Sequence, residues 1–215
     1  MFRHTLYYTV NMLSQSSFFE QLVIVTKHAN RVEYFKQLIA GKTVLHIGCA
    51  DWPIYNPDNN LHVQLCISNP NVDGFDVNKD VIEKMKTHHN LAGRDLYSTL
   101  PDKKYDFLLV PETIEHVNNV EGFLLGLVKC VTTATQILIT APNAFCSEHV
   151  NRNRYIRNTF LEIVHPDHNC WYSPYTLANA IRKSYEANGL KVAFQSIGTL
   201  ENETMVYCLF NLPSL

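Results

Sequence analysis

The segment Tyr105-Asp106-Phe107-Leu108-Leu109-Val110-Pro111-Glu112-Thr113-Ile114-Glu115-His116-Val117 drives an apolar run straight into two carboxylates and an imidazole. Such groups move protons near neutral pH or hold a cation. If the segment is helical, offsets of three and four place Glu112, Glu115 and His116 on one face. Glu115 and His116 could equally pair with neighbouring backbone or with each other. A second set lies between Pro142 and Tyr172: Asn143, His149, Arg152, Arg154, Tyr155, Arg157, His165, Asp167, His168 and Trp171. Loops of that length in a compact domain are usually functional. His116 and His168 are the candidate bases, with Glu115 next. The clustered arginines read as a solvated patch or as recognition of an anionic group.

Upstream, His46-Ile47-Gly48-Cys49-Ala50-Asp51-Trp52-Pro53 follows a short apolar run. The glycine fingerprint of a dinucleotide site is missing, and Pro53 lacks the amide hydrogen that a phosphate-cradling turn needs. One glycine and one alanine still let a phosphate-free nucleoside approach the backbone. Asp76 stands 28 residues beyond Gly48, directly after a second apolar run. A carboxylate there can accept both hydroxyl hydrogens of a ribose, or simply stand before a helix that Asn78 caps. Asp95 addresses an adenine amino group or stabilises a turn.

The elements that must position these residues follow from periodicity. Apolar residues at Phe18, Leu22, Val25, Ala29, Val32 and Ile39 predict a helix over 18–39, capped by Ser16 or Ser17 and stopped by Gly41. Strands are predicted at 43–47, 72–75, 94–97, 106–110, 136–140, 191–197 and 205–210. Helices are predicted from Asn56-Pro57 to Cys66, from Asn78 to His89, at 120–130, and from Ser173-Pro174 to Gly189. This alternation predicts an α/β, Rossmann-like fold. Its seven-stranded, mostly parallel sheet ends in a C-terminal antiparallel edge hairpin and carries helices on both faces. Ligands then gather at the carboxyl ends of the strands. The 215 residues form one domain, with an N-terminal helical segment over 1–41 and a cap over the active site at 142–172.

Composition narrows the classes. With 46% hydrophobic and 18% charged residues, the chain is globular rather than disordered, and a net charge of −2 gives no basic field for nucleic acid. Cys49, Cys66, Cys130, Cys146, Cys170 and Cys208 form no CxxC pair, which points to a reducing compartment. The sequence shows no signal-peptide core and no membrane-spanning run, so a cytoplasmic location is expected. Oligomeric state is not legible.

Four stretches, Val44 to Asp51, Gly74-Phe75-Asp76, Asp106 to His116 and Thr140-Ala141-Pro142-Asn143, resemble the class I S-adenosylmethionine-dependent methyltransferases. The late segments His165-Pro166-Asp167-His168 and Trp171-Tyr172-Ser173-Pro174 resemble them too. The likeness is to the broad type 11 group with ubiquinone-type and polysaccharide-cluster members, over roughly 42–190. It implies S-adenosylmethionine as cofactor, with S-adenosylhomocysteine as product. His46, Gly48, Cys49, Ala50 and Asp51 would line its methionine part, and Asp76 with Val77 would bind the ribose. Asp95 and Leu96 would border the adenine, with Pro111 and Glu112 closing the other side. His46 stands where the group usually has an acid and Ala50 where it has glycine; Asp51 is the substitute acid.

The acceptor implied is a small hydroxylated molecule, sugar or saccharide-like, held by Asn143, Arg154, Tyr155, His165, Trp171 and Tyr172. This reading assigns no metal ligand, and the sequence leaves metal dependence open. As an alternative, Glu112, Glu115, His116 and His168 resemble the divalent-metal site of small-RNA 3′-terminal ribose methyltransferases, with RNA ribose as acceptor. A further alternative is a methyltransferase-like interaction module without catalysis.

Overall fold

Alternating side chains of the buried strands sort the core into two layers. The computed structural model describes residues 20–51, 56, 58–89 and 94–215. In β2 (Val44–Ile47), Leu45 and Ile47 pack on one face with α4 (Val120–Leu127) and α6 (Pro174–Glu186). Val44 faces the other way, among α1 (Arg31–Ile39), α2 (Leu61–Ser68) and α3 (Lys79–His88). β5 (Phe107–Val110) divides likewise, with Leu108 and Val110 in the first layer and Phe107 and Leu109 in the second. A period of two thus feeds both faces, as a sheet covered on both sides requires.

The remaining strands are β1 (Thr26–His28), β3 (Val72–Phe75), β4 (Leu96–Tyr97), β6 (Gln136–Pro142), β9 (Ala193–Leu200) and β10 (Met205–Asn211). Their order is β1-β9-β10-β6-β5-β2-β3-β4, so among the described residues the sheet has eight strands rather than seven. β10 runs antiparallel to β6 and β9, while the other pairings are parallel. The closing hairpin is therefore internal, because β1 covers its outer side.

β1 also corrects the long N-terminal helix. The Asn30 side chain accepts from the Glu33 N–H and starts α1 at Arg31, and Thr26–His28 extend along β9 instead. Pairing with a sheet edge overrides the helical spacing of the preceding apolar residues. Ser16, Ser17 and Phe18 lie outside the described residues. Asn60, not Asn56, caps α2, accepting from the Val63 N–H. Asn56 makes a turn, its side chain accepting from the Asp58 N–H, and Pro57 lies outside the described residues. The caps Asn78 and Ser173 fall where the sequence puts them, and Ser173 and Thr176 form a reciprocal capping box.

Between β6 and α6, the stretch 142–172 has its own structure. It holds α5 (Ser147–Arg152) and a separate hairpin of β7 (Arg154–Ile156) and β8 (Thr159–Leu161). No helix among the described residues is long and apolar enough to cross a membrane.

Candidate active site

Three adjoining depressions open at the carboxyl ends of β2, β3, β5 and β6, and Glu112 borders all of them. The largest, about 630 Å³, is lined by Gly48, Ala50, Asp76, Val77 and Glu112, with Phe123 among its apolar walls. Gly48, Asp76 and Glu112 therefore meet at one cleft, although they lie on three separate loops.

Gly48 has φ +73°, and a Cβ there would sit 2.2 Å from Thr113 Oγ1. That residue must be glycine on both counts, and it bares the backbone to the cleft. Asp76 Oδ1 accepts from the Asn78 N–H at 2.9 Å, and Oδ2 accepts from the Ala50 N–H at 3.3 Å. A carboxylate has about four lone-pair sites, so it retains acceptors for two hydroxyls. Glu112 has φ +43°, uncommon for a residue with a side chain. Its N–H donates to the Thr140 backbone carbonyl and to Thr140 Oγ1, and its carboxylate pairs with the Arg31 guanidinium.

A second depression, about 420 Å³, continues past Gly48 to Arg31, His46, Asp51 and Pro111. Burial raises the Asp51 carboxyl, and the Arg31 cation opposes that rise. Cys49 turns away: its sulfur lies 2.7 Å from where a Gly74 Cβ would be, and burial pushes its thiol up. Only its backbone can serve the loop. Asp95 and Leu96 do not reach the cleft. Asp95 precedes β4 and accepts from Tyr97 Oη at 3.0 Å, while Leu96 is packed in the core. Leu100, further along that loop, lines the cleft instead.

Glu112, Glu115 and His116 do not share a face. Residues Ile114–His116 form one turn of 3-10 helix, where successive side chains splay apart. His116 is exposed toward the cleft, whereas Glu115 is 1% exposed and its carboxylate oxygens find no hydrogen-bond partner in another residue among the described residues. Burial, with some help from the Glu112 charge, raises Glu115 to about 8. Buried and with its carboxyl raised, Glu115 stands apart from the solvent-facing His116. His116 instead meets His168 edge-on at 4.6 Å between ring centres, and His165 lies 5.6 Å from both. Burial, then His116 and His165, lower the His168 pKa, which keeps that ring neutral. Ring nitrogens of these three histidines lie within 4.8 Å of one another.

Of the other cap residues, Trp171 lies beside the histidines, edge-on to His149 and donating to Glu162 Oε1. Asn143 is structural: it is buried, donates to the Glu203 carbonyl and accepts from the Phe145 N–H. Tyr172 belongs to the core. Arg154 and Tyr155 sit on the exposed β7–β8 hairpin, and Arg154 donates to the Arg152 carbonyl. Arg152 pairs with Glu148 at 2.8 Å, so the solvated reading of this basic patch fits.

Sequence reasoning missed Arg31, which lies 81 residues before its partner Glu112. A cation in the first turn of a helix opposes the macrodipole, and that was the available signal. It was hidden because the predicted helix ran straight through this position.

A mostly parallel sheet with the cleft at its carboxyl edge, a glycine turn after β2 and a carboxylate after β3 define a nucleoside-binding α/β enzyme fold. Residues 26–192 match the family model described as a methyltransferase domain. The chain belongs to this family. It is 31% identical over 126 residues to a ubiquinone biosynthesis O-methyltransferase of Rickettsia akari (strain Hartford), covering 55% of this chain and 45% of that one. The matched stretch thus spans less than half the length of that curated relative. Among solved structures, an S-adenosylmethionine-dependent methyltransferase from Clostridium acetobutylicum ATCC 824 aligns with TM-score 0.57 at 9% identity, over 84% of this chain and 89% of that one. The glycopeptide N-methyltransferase MtfA, complexed with sinefungin, aligns with TM-score 0.60 at 11% identity, over 87% and 95%. The fold is that of the S-adenosylmethionine-dependent methyltransferases.

Proposed function

We propose that this protein transfers a methyl group from S-adenosylmethionine to a hydroxyl of a small acceptor, of sugar or saccharide-like kind. The observation that carries the reading is the convergence of Gly48, Asp76 and Glu112 on one cleft with His116 at its rim. The cleft suits a nucleoside without phosphate: Gly48 bares backbone, Asp76 keeps free acceptors, and Phe123 supplies an apolar wall. Arg31 and Asp51 in the adjoining depression offer opposite charges to a zwitterionic amino-acid end. The name of the Rickettsia relative supports oxygen as the accepting atom.

When bound, the sulfonium cofactor supplies an already activated methyl group, so the protein's task is chiefly alignment. His116 and the neutral His168 stand at the mouth where an acceptor hydroxyl would enter, ready to take its proton. Trp171 and His149 give that mouth an aromatic wall suited to a sugar face. Calorimetric titration with S-adenosylhomocysteine tests the reading. Saturable binding is expected, and Asp76→Ala should weaken it by roughly 10- to 100-fold, the loss of hydrogen bonds to a charged group. The protein should stay folded, its thermal unfolding midpoint lowered by only about 2–8 °C for the two backbone hydrogen bonds that Asp76 accepts. A wild-type protein that does not bind would leave a non-catalytic interaction module in its place.

One observation favours a metal-assisted variant. The set Glu112, Glu115, His116 and His168 is not assembled, but His116, His165 and His168 approach one another. Zinc–nitrogen bonds of about 2.0–2.1 Å need ligating atoms no more than roughly 4.2 Å apart, so a small ring rotation would complete a three-imidazole site. Its metal would make an acceptor hydroxyl more acidic. Full methyl transfer after chelation, with no metal in the protein by elemental analysis, rules this variant out.

A further inference from the structure

We propose that His149 binds the acceptor, its Nε2 taking a hydrogen bond from a second hydroxyl beside the one that is methylated. The substrate class is then a small ring with two neighbouring hydroxyls, and the inference rests on the hydroxyl-acceptor reading above. The third depression, about 290 Å³, is at the low end for a ligand site and has room for one small ring. It shares only Glu112 with the largest cleft, so it is the part of the site left for the acceptor. His149 and His168 both line it, and Trp171 stands beside each, at 4.7 and 6.2 Å between ring centres.

The His149 ring is held from two sides. Cys146 caps α5, its sulfur accepting from the His149 N–H at 3.4 Å, which sets the residue in the first turn. His149 Nδ1 lies 2.8 Å from the Asn143 backbone carbonyl. A carbonyl oxygen only accepts, so the hydrogen of this bond sits on Nδ1, and Nε2 of the neutral ring is a bare lone pair. That carbonyl is fixed in turn: the Asn143 N–H donates to the Thr204 carbonyl at 2.8 Å, and its side chain to the Glu203 carbonyl at 2.7 Å. An imidazole oriented in this way presents Nε2 in one direction. The residue is partly exposed, and Nε2 has no hydrogen-bond partner among the described residues. Other polar groups of the depression are engaged. The Glu112 carboxylate pairs with Arg31, Thr204 Oγ1 donates to the Glu201 carbonyl, and the Trp171 indole donates to Glu162. His149 Nε2 is left to read the ligand, and a lone pair accepts from a hydroxyl but not from an ether. With His168 in the same depression for the reacting hydroxyl, a small ring reaches both imidazoles through two neighbouring hydroxyls.

Measurements at about pH 8, above the ordinary imidazole range, decide the proposal. In histidine-15N-labelled wild-type protein, His149, assigned through its backbone, should show Nδ1 protonated and Nε2 bare. Monosaccharides, their methyl glycosides and inositols serve as acceptor probes. Each probe that wild type methylates is then compared with analogues carrying hydrogen or methoxy in place of the neighbouring hydroxyl. Those analogues should lose about 10- to 100-fold in kcat/KM, and in His149→Phe the penalty should fall to a few-fold with S-adenosylhomocysteine affinity unchanged. In the wild-type complex with S-adenosylhomocysteine, the hydroxylated probe should shift His149 Nε2 upfield and its analogues should not. A hydrogen on Nε2 in the free protein, or an analogue penalty that His149→Phe leaves intact, overturns the assignment. If His149→Phe does not fold, the wild-type spectra and analogue series still decide. A wild-type protein that binds S-adenosylhomocysteine but methylates no probe would instead fell the hydroxyl-acceptor reading, and this inference with it.

Discussion

Two groups of histidines stand at the same edge of the sheet and differ chiefly in burial. His46 and His62 are sealed between β2 and α2, neutral and locked by a relay of hydrogen bonds. His116, His165 and His168 gather at the rim, where the first two are exposed and the third partly so. The same side chain is therefore held neutral in a buried hydrogen-bonded pair in one place and left open to solvent in the other. Solvent access, not residue type, makes the difference, because desolvation decides which protonation state each ring can visit.

Three experiments probe that contrast. The largest effect is expected at the rim: His116→Ala should lower methyl transfer by roughly 10²- to 10⁴-fold with S-adenosylhomocysteine affinity nearly unchanged. Single-turnover rates beside calorimetry would read both. A matching loss of affinity would make His116 part of the cofactor site instead.

Beneath the rim, Glu115 is about 8 in the folded protein against 4.5 for the ordinary group. Between those values the unfolded chain is ionised while the folded one holds a proton, so rising pH drains stability over that window. The Glu115→Gln variant should lose this dependence. Its unfolding free energy, relative to wild type, should climb from pH 4.5 to 8 by on the order of 4 kcal/mol and stay level above. Parallel denaturation curves at pH 5 and 8 would show that Glu115 is ionised in the fold.

The buried pair should respond with the opposite sign. His62, about 4 when folded against 6.5 otherwise, contributes stability that is complete above pH 6.5 and lost as pH falls toward 4. His62→Gln should flatten that acid limb by on the order of 3 kcal/mol. An unaltered limb would mean that the pair is hydrated and not sealed.

Much of this was legible along the chain because it is local. Strand β3 coincides with its predicted span, and Asn78 and Ser173 cap where a short polar side chain precedes a helical stripe. Gly48 and Asp76 could be assigned to one cleft because parallel strands bring their carboxyl ends together. Glu115 could not be placed, since one 3-10 turn in place of an α-helix swings it from rim to core. His165 was seen as an acceptor-binding residue, but its approach to His116 depends on how the loop from β8 to α6 folds back.

Periodicity and capping, which depend on neighbours a few residues apart, were enough to set the α/β alternation and the loops that carry chemistry. Pairings between distant segments needed the folded chain: β1 against β9, Arg31 against Glu112, His46 against His62. Whether a titratable side chain faces water or core is a property of those distant contacts, and so the burial of the histidines and of Glu115 was decided by tertiary packing alone.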